Sequence, residues 1–447
     1  MWRTLKEIRR YPSAIVGLFI IGALIILAIY TVIAIPYSRA IDLWRAGPGT
    51  WDENPRNAWP VWLDFFTPQK LPRTIIVDLE HAEVREEEVS EDRKKVELVL
   101  PVNFGYDGFP SEITLFLNTE GIAPGTRVRY SAVWENPLGQ RVEIAKRRSM
   151  RGSEIYYISQ DPQLIATLGA PGEYALFSDV NLRVAAAQRT VLKGTYRLYL
   201  QAELPKEARF TGRLIVYGRI HGLAGTDHLR RDLTVALMWG APVALAFGLL
   251  AALGSVLSTF VLAGVGSWFG GWVDSLFQRL TEINMIIPML PILIMIGQFY
   301  SRSLWLMLGV VILLSIFSAG MKTYRAMFLQ AKEASYIEAA RAYGAGSGRL
   351  IFRYLLPKMV PVILPTLIMV IPSYVFLEAA LSVIGLGDPL LPTWGKIISD
   401  ARTADALYKG YYYWVIEPAI MLMLTGFGFA MVGYALDRVF NPRLRTL

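Results

Sequence analysis

The side chains best suited to a specific task lie together between Tyr336 and Pro361, in the run YIEAARAYGAGSGRLIFRYLLPKMVP. Ser335 to Tyr343 is built of good helix formers, and Gly344 is a natural helix stop. Gly346-Ser347-Gly348 then makes a turn, and Arg349 to Leu356 forms a second short helix halted at Pro357. Glu338 offers a fixed carboxylate on the first helix, and the small Ala339 and Ala340 beside it let a partner's backbone come close. The task of such a helix-turn-helix is docking and the transmission of movement. Gly344 to Arg349 also invites a reading as a phosphate cradle, but no Gly-Lys-Ser or Gly-Lys-Thr follows and no Walker A pattern occurs anywhere in the chain. The chain is therefore not expected to hydrolyse ATP by itself. Without a single cysteine, it has no disulfides, no thiolate nucleophile and none of the usual zinc sites.

Glu378 and Glu417 stand in or at the edge of long apolar runs, where an ionisable group is costly and points to function. Either they line a substrate path, or they cap helices and pair with Lys396 or Arg402. Pro361, Pro365 and Pro372 punctuate the run that holds Glu378 and free backbone carbonyls, which suits a bent, pore-lining helix or a kinked packing helix. After Gly387, Thr393 can cap a short helix from Trp394 to Tyr408. The mixed-charge run Arg85 to Lys95 (REEEVSEDRKK) contains acids that could hold a cation. Its interleaved basic groups would compete, so a solvated hairpin tip is the better reading.

The elements that must carry these residues are legible in the composition. Of the 447 residues, 53% are hydrophobic and only 18% charged, too apolar for an ordinary soluble protein. A bilayer core about 30 Å thick needs roughly 20 apolar residues in a helix. Six runs approach that length: Ser13 to Pro36, Leu233 to Ser267, Ile283 to Gln298, Leu304 to Gly320, Met359 to Leu386 and Tyr413 to Leu436. The first follows Arg3, Lys6, Arg9 and Arg10 as a secretory signal would. Its apolar core is too long for a signal and no small-residue cleavage pattern follows, so a retained helix is expected. The formal charge of +8 collects in particular loops, which argues for membrane orientation and against nucleic acid. With the N-terminus inside, six spans put the basic segment 322–358 and the tail from Arg438 in the cytoplasm.

Tyr37 to Arg231, between the first two runs, is of a different kind. Val96 to Val102, Glu112 to Asn118, Thr126 to Trp134, Tyr196 to Glu203 and Arg213 to Ile220 alternate apolar with polar residues and favour β-branched or aromatic types. Turns at Ala123-Pro124-Gly125 and Asn136-Pro137-Leu138-Gly139 separate them, as in an immunoglobulin-like or related β-sandwich. Trp44, Trp51, Trp59 and Trp62 either sit at the lipid headgroups or pack the base of the sandwich.

With these residues in view, the chain resembles the permease subunits of binding-protein-dependent ABC importers. Their signature of Glu-Ala-Ala, three residues, Gly, nine residues and Ile-x-Leu-Pro is met by Glu338-Ala339-Ala340, Gly344 and Leu356-Pro357, with Tyr354 at the isoleucine position. Further likeness is to the second permease of oligopeptide and dipeptide importers. Gly225 to Leu233 (GTDHLRRDL) is similar to the family's Gly-Thr-Asp-x-x-Gly-Arg-Asp, with Arg230 in place of glycine. Gly270 to Asp274, Glu378 to Gly387, Pro392-Thr393-Trp394-Gly395 and the tail Asn441 to Arg445 match as well. The likeness is loose over 1–36, close over 221–447, and absent from the β-rich insertion.

The resemblance implies an α-helical polytopic membrane protein with six transmembrane helices in the ABC importer permease fold. Residues 1–36 form a cytoplasmic segment and helix 1, 37–220 an extracytoplasmic β-sandwich-like insertion between helices 1 and 2, and 221–447 the core permease with coupling loop 322–358. It implies half of a translocation pathway for di- or oligopeptides, in the plasma (inner) membrane with both termini cytoplasmic. The implied partners are a homologous second permease in a heterodimer, two ABC ATPases that bind ATP and Mg, an extracytoplasmic substrate-binding protein and the lipid bilayer. This chain would bind no cofactor or metal and catalyse nothing. Glu338, Ala339, Ala340, Gly344, Leu356 and Pro357 would couple to the ATPase, and Glu378, Gly385, Gly387, Trp394 and Glu417 would line or gate the path. Oligosaccharides or nickel chelates are alternative cargoes. A secondary transporter, or a membrane-anchored sensor whose sandwich is the working part, are alternative machines.

Overall fold

The structure, a computed structural model, describes residues 11–47, 49–90, 93–122, 126–181 and 185–440. Arg3, Lys6, Arg9 and Arg10, the acids Glu91 and Asp92, the turn at Ala123-Pro124-Gly125 and the tail from Asn441 to Arg445 lie outside those residues. The chain forms two compact units, Met1–Arg45 with Val235–Leu447, and Ala46–Thr234. The first begins with helix α1 (Pro12–Ala34), uncharged throughout, and α2 (Tyr37–Arg45), which buries Ala40 and Trp44. The second extends past position 220 because its last segment is bonded into it. The His221 amide donates to the Trp59 carbonyl (2.8 Å) and the Thr226 amide to that of Ala58 (2.9 Å).

The unit Ala46–Thr234 is a sandwich of antiparallel sheets. Its strands are β1 (Ile75–Asp78), β2 (Glu83–Ser90), β3 (Arg93–Phe104), β4 (Glu112–Glu120), β5 (Arg127–Glu135), β6 (Arg141–Arg151), β7 (Ser153–Tyr157), β8 (Gly194–Pro205) and β9 (Arg209–Tyr217). One sheet runs β1-β9-β4-β7 and the other β2-β3-β8-β5-β6. Alternation along β3 turns Val96, Leu98, Leu100, Val102 and Phe104 inward, and along β8 Tyr196, Leu198, Leu200, Ala202 and Leu204. These residues and those facing them from β4 and β9 make one core. At its centre Phe177 stacks on Tyr196 with ring centroids 4.6 Å apart, and Trp134 Nε1 donates to the Leu176 carbonyl (3.1 Å), so the buried indole keeps a partner. Asp161 caps the short helix α3 (Pro162–Leu168), which is followed by α4 (Gly172–Ala175). Burial works against the charge of Asp161, but bonds from Tyr156 and the Leu164 and Gln163 amides, with Arg148 nearby, hold the carboxyl below the usual range. Of the four tryptophans, Trp44 belongs to α2, whereas Trp62 donates to the Leu223 carbonyl (3.0 Å) within the β-rich unit.

In the helical unit follow α5 (Leu233–Phe269), α6 (Gly271–Ile286), α7 (Met289–Phe299), α8 (Leu304–Ile316), α9 (Ala319–Lys332), α10 (Ser335–Ala342), α11 (Ser347–Arg349), a wide π turn (Leu350–Leu355), α12 (Leu356–Val383), α13 (Trp394–Thr403) and α14 (Tyr413–Phe440). Among the described residues, α1, α5, the continuous helix Ser347–Val383 and α14 are each long and apolar enough to cross a bilayer. The expected runs at Ile283–Gln298 and Leu304–Gly320 are bent pairs, α6 with α7 at 76° and α8 with α9 at 47°, giving up to six spans if each pair counts as one. Pro288 makes the first bend, since a residue before proline is driven from the α region and Ile287 is extended (ψ 121°). At the second, Asn284 Nδ2 donates to the freed carbonyls of Leu314 (2.7 Å) and Phe317 (3.1 Å).

Two expectations about helix ends are corrected. The helix after Gly346 does not stop at Pro357. The π turn widens the backbone ahead of it, and Pro357 falls in the first turn of α12, where its missing N–H is tolerated. The helix from Trp394 ends at Thr403 rather than Tyr408, because Asp405 turns left-handed (φ +54°) and the Ala406 amide bonds back to the Ala401 carbonyl (2.9 Å).

Candidate functional site

The loop of Glu338 is a wedge with a buried inner face and an open outer one. Ile337 and Ala340 of α10, with Leu350, Ile351, Leu355 and Leu356 beyond the turn, pack against Phe260 and Trp268 of α5 and Tyr324 and Phe328 of α9. Between them Gly344 takes φ +80°, and the Ala345 amide bonds to the Ala340 carbonyl (3.1 Å) while the Gly344 amide bonds to that of Arg341 (2.9 Å). This is a Schellman stop, which needs a left-handed residue at Gly344. The Arg341 guanidinium lies 5.4 Å from the centre of the Trp268 ring, and Lys332 Nζ donates to the last carbonyls of α5 at Ser267 (3.3 Å) and Trp268 (2.9 Å). The outward residues are Glu338, Ala339, Gly344 and Pro357, together with Tyr343, which is 92% exposed. Tyr354, where the family motif has isoleucine, is also exposed.

At the other end of α12, about 40 Å away at 1.5 Å per residue, the chain closes on itself. Gly385 repeats the Schellman stop (φ +88°), with the Leu386 amide on the Leu381 carbonyl (2.8 Å) and both leucines buried together. Thr393 Oγ1 accepts from the Lys396 amide (3.2 Å) and starts α13 as expected. Trp394, 1% exposed, donates from Nε1 to the Leu237 carbonyl of α5 (2.8 Å). Its ring fills the notch above Gly240, where an added Cβ would fall 2.1 Å from Trp394 Cδ1. Gly387 and Gly395 press as tightly on Ser382 and Ala379.

Glu378 is 3% exposed and accepts from Ser382 Oγ (3.0 Å). It lines a cavity of about 10 Å3 with Arg302, Asp388 and Ser382, room for one water. Glu417 is in the first turns of α14 and is not among the residues that line this cavity. Lys396, a possible partner for either carboxylate, is engaged by Asp400 (2.8 Å).

The two ends are joined by two helices. α12 begins in the Glu338 wedge and ends beside Glu378, and α5 meets Trp394 at Leu237 and Gly240 and the wedge at Trp268. Midway, the Tyr374 hydroxyl donates to Ser255 Oγ (2.8 Å), and Gly248 lets Val375 approach so closely that a Cβ would lie 2.5 Å from it.

The sequence pointed to Arg230 only as a departure from a motif; Glu112, within the β-rich unit, carried no signal. Arg230 has a left-handed backbone (φ +66°), which costs a residue with a side chain roughly 1–2 kcal/mol relative to glycine. Its guanidinium donates to Glu112 Oε2 (2.5 Å) and the Asn54 carbonyl (2.7 Å) and lies 4.1 Å from the centre of the Tyr217 ring. Burial pushes the Tyr217 hydroxyl up to about 12, so it stays a donor, here to the Asp52 carbonyl.

Comparison with known proteins bears on the helical unit. Residues 245–446 match the family model described as "Binding-protein-dependent transport system inner membrane component". The chain is 30% identical over 223 residues to the oligopeptide transport system permease protein OppC of Bacillus subtilis (strain 168), covering 49% of this chain and 72% of that one. Likeness to the dipeptide transport system permease protein DppC of Alkalihalophilus pseudofirmus is 28% over 223 residues, covering 50% and 72%. The peptidoglycan transport system permease protein YejE of Agrobacterium fabrum is 32% identical over 221 residues, covering 49% and 56%.

Proposed function

The chain belongs to the inner-membrane components of binding-protein-dependent transport systems, and from that premise we propose that it forms half of the pathway of an ATP-driven importer of di- or oligopeptides. The cargo is inferred from relatives named for oligopeptide and dipeptide transport. In this reading the chain crosses the inner membrane six times, with both termini and the Glu338 loop in the cytoplasm and the β-rich unit outside. The bias of Lys and Arg toward 322–358 and the C-terminal tail supports that orientation. Glu338, Ala339, Ala340, Gly344, Leu356 and Pro357 dock one of two partner ATPases, which hold the ATP and Mg. A homologous permease completes the pathway as a heterodimer, and an extracytoplasmic binding protein delivers the peptide toward the β-rich unit. Glu378, Gly385, Gly387 and Trp394 form the outer closure, and Glu417 lines the path near it.

The observation that carries this reading is that α5 and α12 each run from the Glu338 wedge to Trp394. A push on the wedge would move two helices whose far ends hold the closure, which is what alternating access needs. The test is uptake of labelled peptide into proteoliposomes holding this chain with its partner permease and ATPases, with the binding protein supplied on the opposite face. ATP-dependent uptake that is lost in Glu338→Arg, with assembly intact, is the expected result. Uptake that proceeds without ATP on an ion gradient, or is indifferent to Glu338→Arg, would overturn it.

A further inference from the structure

Two charged side chains stand alone in apolar sequence and meet at the Glu378 end of the helical unit. Arg302 is the single charged residue between Glu282 and Lys322, and Asp388 the single one between Glu378 and Lys396. The first lies in the link from α7 to α8 and the second in the link from α12 to α13. The fold brings both to one open pocket of about 440 Å3, walled also by Tyr300, Ser301 and Leu390. They do not pair. Among the described residues, the Arg302 guanidinium bonds only to the neutral Gln298 Oε1 (3.1 Å). Asp388 accepts only backbone amides, that of Leu304 on one oxygen (3.4 Å) and that of Leu390 on the other (3.0 Å). Most of the guanidinium N–H groups, and a lone pair on each carboxylate oxygen, are left for a ligand.

A simple anion would be drawn by Arg302 and repelled by Asp388, and a simple cation the reverse. The ligand that suits both carries one charge of each sign, held apart. A peptide of two or three residues has that form, with an ammonium at one end, a carboxylate at the other and about 3.3–3.6 Å of extended chain per residue between them. The pocket is of a size usual for small ligands, a guanidinium takes a carboxylate through two parallel bonds, and the exposed ring of Tyr300 offers a surface to peptide side chains. We propose that Arg302 and Asp388 are a recognition pair for the charged termini of a short peptide, the α-carboxylate on Arg302 and the α-ammonium on Asp388. The same two side chains wall the small cavity of Glu378, so a peptide held between them lies against the closure. This rests on the importer reading and names what this chain recognises in the cargo, its free ends.

The experiment titrates trialanine into the complete importer in phosphatidylcholine nanodiscs, with the binding protein left out, and reads the Kd by saturation-transfer NMR. Trialanine should bind, and its C-terminal amide and its N-acetyl derivative should each bind about tenfold more weakly, the scale of one lost charged contact. Arg302→Gln, at an exposed site, should weaken the free peptide to the level of the amide and leave the amide unchanged. Asp388→Asn should do the same for the acetylated end. Damage to the fold would instead weaken all three ligands alike. If Asp388→Asn does not assemble because the bond to the Leu304 amide is lost, Arg302→Gln with the amide decides. Equal binding of free and blocked peptides, or no binding, overturns the inference. So does peptide binding that phosphatidylethanolamine in the nanodisc abolishes, which would make the pocket a lipid-headgroup site. Uptake by the same importer, with the binding protein supplied, is read alongside. ATP-driven uptake without Arg302-dependent binding overturns this inference alone, and a wild-type complex that imports no peptide overturns the importer reading, and this inference with it.

Discussion

The two ends of α12 are built from the same device and put to opposite uses. Each has a left-handed glycine closing a helix, Gly344 before it and Gly385 after it. Around Gly344 the side chains on one face are buried and the other face, with Glu338, Ala339 and Tyr343, is left open. Around Gly385 the candidate residues themselves are turned inward, with Glu378, Ser382, Leu386, Trp394 and Gly395 all buried, while Ile384 and Leu390 stay exposed. A helix stop therefore fixes geometry, and whether that geometry becomes a docking face or a closure depends on what the neighbouring side chains meet. At the wedge Glu338 and Ala339 are left open to a partner; at the closure Glu378 and Trp394 meet this chain.

The contrast can be broken most forcefully at Trp394. Trp394→Ala empties a fully buried slot and removes the bond to Leu237, and should cost about 3–5 kcal/mol, read as a fall in melting temperature of the purified protein. ATP hydrolysis in the assembled importer should then run without matching uptake. Gly240→Ala attacks the same lock from α5, and overpacking there should cost about 1–3 kcal/mol. A smaller ring at 394 should recover part of that loss, and failure to do so would show that the notch is not the reason for the glycine. At the other end Gly344→Ala meets no neighbour, and its cost is the backbone alone, roughly 1–2 kcal/mol. The smallest effect on stability belongs to Glu338→Gln and Tyr343→Ala, both on the open face and expected within about 0.5 kcal/mol of wild type. Their effect should appear in pull-down of the partner ATPase and in ATP-driven uptake. A large drop in melting temperature for either would mean that the open face is not open.

The same contrast explains what could be read in advance. The wedge was legible because its parts are close in sequence: Glu338, Gly344 and Pro357 stand at fixed spacing, and a glycine after a helix-forming run announces a stop. Its continuity into α12 was not, since proline reads as a terminator and only the π turn ahead of Pro357 shows how the helix passes through. The strands of the sandwich were visible from their alternation, which each strand carries within itself. The pairings of Trp394 with Gly240 and of Arg230 with Glu112 join residues far apart in the chain, so no local pattern encodes them. Arg230 left one trace, its mismatch to a glycine, and the left-handed backbone shows what that mismatch meant.

The notch at Gly240 has a consequence beyond the folded molecule. Any side chain at 240 collides with the present indole, and any smaller ring at 394 leaves the notch unfilled. A single substitution at either site is penalised until the other changes too. The two positions therefore act as one unit of fit, and a change at either calls for a compensating change at the other.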